Sequence, residues 1–327
     1  MYATRRSILE LGAALALTAC GPATSPSGGS RGFRAVKTAR VTLFTSLPAA
    51  EADRAAVRAE QVHDAIRALG FPTAAGGRVS VVLFQNRAEY ESLLGKYTVG
   101  EFVGPRASSG RAHHAAIAVL LDAEPATVLA HELTHHLVYE SLGADVPTWL
   151  NEGLAEYWSM IDVRDGTAYL GLPLTEREID DGKPPPPGAR ARRRTPLAEL
   201  VPPSALARTD EHDFYGAGGE REERRRVTAL YLSSWLFVHL GSQGPADMRK
   251  RFTKLVDGVR GFGSTSGAYA AAFGDLDPKE LDAAFFAWAK RKDRPFEKRP
   301  YMPPPVEIIA RRELDREDAG EIRALFR

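Results

Sequence analysis

His131-Glu132-Leu133-Thr134-His135, set within the longer run Pro125 to Glu140, is the stretch on which the reading of this chain turns. Val128, Leu129, Leu133 and Leu137 recur at helical spacing, Pro125 suits a first helical position, and Gly143 stands just past the end. The pattern predicts one helix. On a helix, positions i and i+4 lie one turn apart on the same face. His131 and His135 therefore present two imidazoles side by side, a pair able to bind one zinc ion. Glu132 follows the first of them and can aim a carboxylate at a water on the metal, where a general base is needed. The apolar stripe predicts that this helix is buried, which argues against two histidines on a free surface.

A catalytic zinc takes three protein ligands and leaves one position for water. The next segment, residues 149–156, reads Trp-Leu-Asn-Glu-Gly-Leu-Ala-Glu, and Thr148 can cap a helix that continues to about Met160. Glu152 lies 17 positions after His135, across a turn from Gly143 to Pro147. Two antiparallel helices joined by that turn bring Glu152 back to the metal.

Together, H-E-x-x-H at His131 to His135 and Asn151-Glu152 resemble the paired motifs of the gluzincins, the thermolysin and aminopeptidase N group of zinc peptidases. The interval from His135 to Glu152 is a little shorter than in those two families and closer to the peptidase MA-like domains of exported bacterial proteins. Val41-Thr-Leu-Phe-Thr45 with its following helix, the strand before the H-E-x-x-H helix, Tyr231 to Leu240 and Phe285-Phe-Ala-Trp288 extend the resemblance over residues 40 to 290. It implies an α+β fold: a zincin-like, thermolysin-like domain with a small mixed sheet and an active-site helix, then a helical C-terminal half. It implies His131, His135 and Glu152 as ligands of one Zn2+, and Glu132 as general base in peptide-bond hydrolysis. Glu156 matches the acidic position four residues beyond the glutamate ligand, which orients a zinc histidine through its other ring nitrogen. Related enzymes also place a Tyr or His beside the oxyanion; Tyr231 is the candidate here, and a helix-packing aromatic is its other reading. The strand Ala115 to Leu121 corresponds to the edge on which an extended peptide substrate pairs.

The rest of the chain is consistent with that division. Arg40 to Thr45 and Arg78 to Phe84 read as strands, Glu51 to Leu69 as a helix stopped by Gly70, and Asn86 to Leu94 as a short helix. Later helices are expected at Val227 to Leu240, Ala246 to Val259, Ser266 to Phe273 and Pro278 to Lys290. The expected divisions are a zincin-like half at 36–180, a Pro/Arg-rich loop at 181–196, a helical half at 197–293 and a charged tail at 294–327. The loop reads as a surface insertion; its other reading is contact with anionic lipid headgroups or an acidic partner. His113 and His114 either face the cleft or sit at a strand edge. His136 points about 100° away from His135 on an ideal helix and is assigned to structure. His63, His212 and His239 carry no ligand pattern.

Composition bounds the remaining possibilities. Of 327 residues, 44% are hydrophobic and 26% charged, and the net charge is +1. That is ordinary globular composition without the basic excess of a nucleic-acid binder. Arg5-Arg6 and the apolar run Ile8 to Ala19, too short for the ~20 residues of a bilayer span, read as a signal peptide at 1–19. Thr4-Arg5-Arg6-Ser7-Ile8-Leu9 looks like a twin-arginine signal, although ordinary export signals carry Arg pairs too. Leu17-Thr18-Ala19-Cys20 resembles a lipobox, which implies lipid on Cys20, the chain's one cysteine, and a flexible tether over 20–35. The chain is thus expected at the cell membrane or outer membrane, facing the periplasm or exterior, with a peptide or protein as substrate. Two alternatives stay open: a non-catalytic envelope binding protein on the same scaffold, which would not need Glu132, and a zinc amidohydrolase acting on cell-wall material.

Overall fold

The computed structural model describes residues 32–94, 98–105, 107–108, 111–112, 115–121, 125–174, 177–180, 193–216, 221–262, 265–315 and 319–326. The expected signal peptide, Cys20, residues 20–31 of its tether, His113, His114 and residues 181–192 of the Pro/Arg loop lie outside these. The fold is α+β.

Two strands, β1 (Arg34–Lys37) and β2 (Val41–Thr45), form a hairpin and lead into the long helix α1 (Ala49–Gly70). The buried carboxylate of Glu60 on α1 ties the hairpin turn down, accepting from Thr38 Oγ1 at 2.7 Å, Arg40 N at 2.9 Å and Val41 N at 3.0 Å. Then come β3 (Val79–Phe84), α2 (Arg87–Leu94), β4 (Gly100–Val103), the short pair β5 (Ala107–Ser108) and β6 (Arg111–Ala112), and β7 (Ala115–Leu120). The helices α3 (Pro125–Leu142) and α4 (Thr148–Trp158) follow. Pro147, not Thr148, occupies the position before α4, at φ −58° and ψ 140°. Proline's fixed φ already suits a helix start, so Thr148 becomes the first helical residue instead of the expected cap.

Two small sheets come next, from β8 (Asp162–Arg164) with β9 (Thr167–Leu170), and from β10 (Arg177–Asp180) with β11 (Arg193–Pro196). The helical half contains α5 (Pro203–Leu206), α6 (Glu211–Tyr215), α7 (Arg221–Gln243), α8 (Ala246–Phe262), α9 (Thr265–Phe273) and α10 (Pro278–Ala289). The tail then returns to the first half as β12 (Glu297–Pro300) beside β9, β13 (Ala310–Glu313) beside β1, and α11 (Ala319–Ala324). Among the described residues, no helix is long and apolar enough to cross a membrane.

The main sheet runs β13-β1-β2-β3-β7-β4, with β2, β3 and β7 parallel and β4 antiparallel to β7. Its central strands are buried on both faces. Val79, Val81, Ile117 and Val119 join the large core with α1, α3 and the helical half, while Val82, Phe84, Ala118 and Leu120 face a second cluster with Tyr90, Leu314 and Ile322. Two-sided burial is why β3 and β7 read as near-continuous apolar runs.

One expectation is overturned here. The Ala115 to Leu121 segment is not the sheet edge: β7 lies between β3 and β4, and the edge on that side is β4. A fully buried apolar strand suits an interior position, whereas a short Gly-Glu-Phe-Val strand tolerates an open side.

Candidate metal centre

Helix α3 is apolar on nearly every side, so its histidines and Glu132 are carried inward with Leu129, Leu133 and Leu137. It ends at Gly143, whose φ of +91° is easy only for glycine; Gly143 N donates to the Tyr139 carbonyl at 2.9 Å. Pro147 then starts α4. Helix α7 clamps α4 from the other side, and Gly153 permits the close approach: a Cβ there would lie 2.6 Å from the Ser234 carbonyl oxygen.

This packing brings the three expected ligands together. Glu152 Oε2 lies 3.2 Å from His131 Nε2 and 3.6 Å from His135 Nε2, and all three donor atoms fall within 4.8 Å of one another. Glu152 is 2% exposed, and its Oε2 makes no hydrogen bond. Donors about 2.0 Å from a tetrahedral ion stand about 3.3 Å apart, so these separations fit one metal ion. Two imidazole nitrogens and one carboxylate oxygen also suit a borderline divalent cation. Together they are a buried group able to hold a metal.

The electrostatics agree with the geometry. Burial alone would raise the Glu152 carboxyl; the imidazoles of His135 and His131 and the Tyr215 hydroxyl outweigh it and pull it down to about 2. Glu152 is therefore a carboxylate across the physiological range. Burial pushes His131 down, but Glu152, Glu132 and Glu156 override it and raise this imidazole. At His135 burial wins and the imidazole is lowered.

The orientation of His135 comes from a residue to which the sequence reading assigned no role. Its ring Nδ1 stands 2.9 Å from Asn151 Oδ1 and donates to it, leaving the Nε2 lone pair toward Glu152. Glu156 sits one turn beyond Glu152, 1% exposed, and its charge acts on both His131 and His135. Phe102 of β4 stacks on the His135 ring, with centroids 6.3 Å apart at 30°. Glu132 is buried against β4: a side chain at Gly100 would strike its carboxyl and Val128, so glycine lets the edge-strand backbone reach the expected base.

Tyr231 lies on α7, buried, with its ring edge-on to Phe214 at 5.1 Å. Another tyrosine, Tyr215, donates its hydroxyl to Glu152 Oε1 at 2.6 Å. It stands on a five-residue helix, too short for a periodic pattern to expose it. His136 points to a neighbouring face of α3, toward Glu140 and His63. His239 is held between Trp288 Nε1, which donates to its Nδ1, and the Gly171 carbonyl. His212 forms an exposed group with Asp210 and Asp213 on the surface of α6. No family model matches this chain, and no curated protein matches it.

Proposed function

We propose that this chain is a zinc-dependent peptidase of the gluzincin type, acting on peptides or proteins in the cell envelope. One observation carries the reading: the two imidazoles and the Glu152 carboxylate converge at metal-binding distances on buried helices, with Glu132 beside them against an edge strand. A purely structural metal has no use for an additional buried carboxylate at that place.

Zinc, when bound, supplies Lewis acidity, polarising a substrate carbonyl and acidifying a water. The chain's own residues account for the remainder. His131, His135 and Glu152 would hold the ion, and Asn151 fixes the His135 ring through its Nδ1. Glu132 accepts the proton of the attacking water and returns it to the leaving nitrogen. Strand β4, the sheet edge next to β7 among the described residues, is where an extended substrate would pair, which would align a scissile bond beside Glu132. Phe102 and Val128 line the wall there and keep water out. Tyr231 is retained as the proposed oxyanion donor from the helical half. The export and lipid-anchor reading of residues 1–20 places the enzyme at the membrane surface, outside the cytoplasm.

The test uses the full chain. Wild type is expected to carry about one zinc per molecule and to cleave unstructured peptides. Glu132→Gln is expected to keep the zinc and lose about a hundred- to ten-thousandfold in turnover. Turnover unchanged in Glu132→Gln would sink the peptidase reading. Cleavage of cell-wall amides with no action on peptides would transfer the same machinery to the amidohydrolase alternative.

A further inference from the structure

The geometry points to Tyr215 as a positioning residue that holds Glu152 one-armed toward the metal. This inference rests on the metal-site reading above. The two carboxylate oxygens of Glu152 have different surroundings. Oε2 faces both imidazole nitrogens, at 3.2 Å and 3.6 Å, while Oε1 is taken by the Tyr215 hydroxyl at 2.6 Å. A carboxylate with one oxygen occupied by a strong donor offers the other alone, and the ion keeps a position for solvent and substrate.

The local sequence builds Tyr215 for this position. Helix α6 is only five residues long but is held at both ends. Asp210 caps its start, accepting from Asp213 N at 2.7 Å. At its end Gly216, with φ +71°, donates its N–H to the His212 carbonyl at 3.0 Å. A side chain at Gly216 would run into Glu223 of α7, so the turn is seated directly on the next helix. Phe214 is fully buried and wedges edge-on against Tyr231 on one side and Tyr215, at 5.4 Å, on the other. The tyrosine ring is thus fixed by packing, and its hydroxyl arrives at Glu152 without having to search for it.

The role is positioning, since Tyr215 acts on the metal through Glu152. Removing the hydroxyl frees Oε1 to swing in as an additional donor and close the open position.

Tyr215→Phe in the full chain tests this, because it keeps the ring and its contact with Phe214. Cobalt(II) serves as the probe, since its visible absorption is intense at four-coordinate sites and weakens as coordination rises. Wild type is expected to show the intense spectrum, Tyr215→Phe a weaker one at equal cobalt content. Zinc affinity in the variant is expected to be retained or modestly raised, because the freed oxygen adds a donor. An unchanged spectrum, in a variant that melts like wild type, would overturn the inference and leave the metal site standing. Failure of wild type itself to take up cobalt or zinc would overturn both. If Tyr215→Phe melts early, Phe214→Leu, which disturbs the same aromatic cluster and removes no polar group, is measured beside it; matching spectra in the two variants would reduce Tyr215 to packing.

Discussion

His135 and His136 are neighbours on one helix, both buried, yet they face two different chemical settings. His135 looks toward carboxylates: Glu152 within 3.6 Å and Glu156 nearby, with the Asn151 side chain fixing its ring. His136 looks toward His63, with ring centroids 5.7 Å apart, in a region where Arg40 and Arg67 add positive charge. The nearest anion on that side, Glu140 at 3.9 Å, is engaged by the backbone N–H groups of Gly76 and Gly77 at 2.9 Å and 2.7 Å. Burial therefore does not distinguish a ligand histidine from a structural one. The anions within reach do: Glu152 turns a carboxylate oxygen toward His135, whereas Glu140, the carboxylate beside His136, is already bound by backbone N–H groups, and burial keeps His136 and His63 neutral.

The sharpest way to break this contrast is to remove each ring in turn. His135→Ala is expected to lower zinc affinity by roughly a hundredfold or more, because a first-sphere donor is gone. His136→Ala is expected to keep full zinc content in the folded protein. Metal analysis after dialysis against a weak chelator distinguishes them, and equal zinc loss in both would erase the distinction.

The second effect is a dependence on pH. Burial, and then His136, Arg40 and Arg67, push His63 from 6.5 down to about 3. The folded protein therefore takes up this proton less readily than the unfolded chain. Its contribution to stability is full above about pH 6.5 and is lost as pH falls toward 3, by up to about 5 kcal/mol. His63→Leu is expected to flatten that part of the stability curve in denaturant melts from pH 7 to 4; an unaltered slope would show that His63 is not kept neutral by its surroundings.

A smaller change belongs to the metal side. Asn151→Ala releases the His135 ring and is expected to cost about ten- to a hundredfold in zinc affinity while leaving the melting temperature of the metal-free protein nearly unchanged. The smallest is expected from His63→Leu at neutral pH. Both ring nitrogens of His63 are buried without a hydrogen bond, so an apolar replacement is expected to be neutral or stabilising by about 1 kcal/mol. A loss above about 2 kcal/mol there would mean that the ring serves an interaction beyond packing.

The metal helices were legible in the sequence because their information is local. His131, Glu132 and His135 lie within five residues, and the apolar stripe around them reports burial directly. Glu152 followed from a turn and a second short helix. What stayed hidden depends on contacts between distant segments. Tyr215 meets Glu152 across 63 positions, from a helix too short to show a period. The edge strand β4 is four residues with glycine and glutamate, and an exposed edge carries no alternation strong enough to reveal it. Its absence from the reading left β7 assigned to the edge. α7 begins at Arg221, six residues before the expected Val227, because its first turns are charged and show no apolar repeat. The charged tail hid β13, whose Ala-Arg-Arg-Glu is a strand only because β1 offers it hydrogen bonds.

That last pairing has a consequence for how the molecule comes together in time. Arg34 pairs with Glu313, and Leu314 and Ile322 help to cover the outer face of the sheet. The chain must therefore close a very long loop before its first hairpin gains its outer neighbour, and contacts so remote in sequence slow folding. Until β13, Leu314 and Ile322 arrive, β1 is a bare edge and Phe44, Val82 and Phe84 lack part of their cover. The interval between making the hairpin and sealing it is when the protein is most exposed to mispairing with other copies of itself.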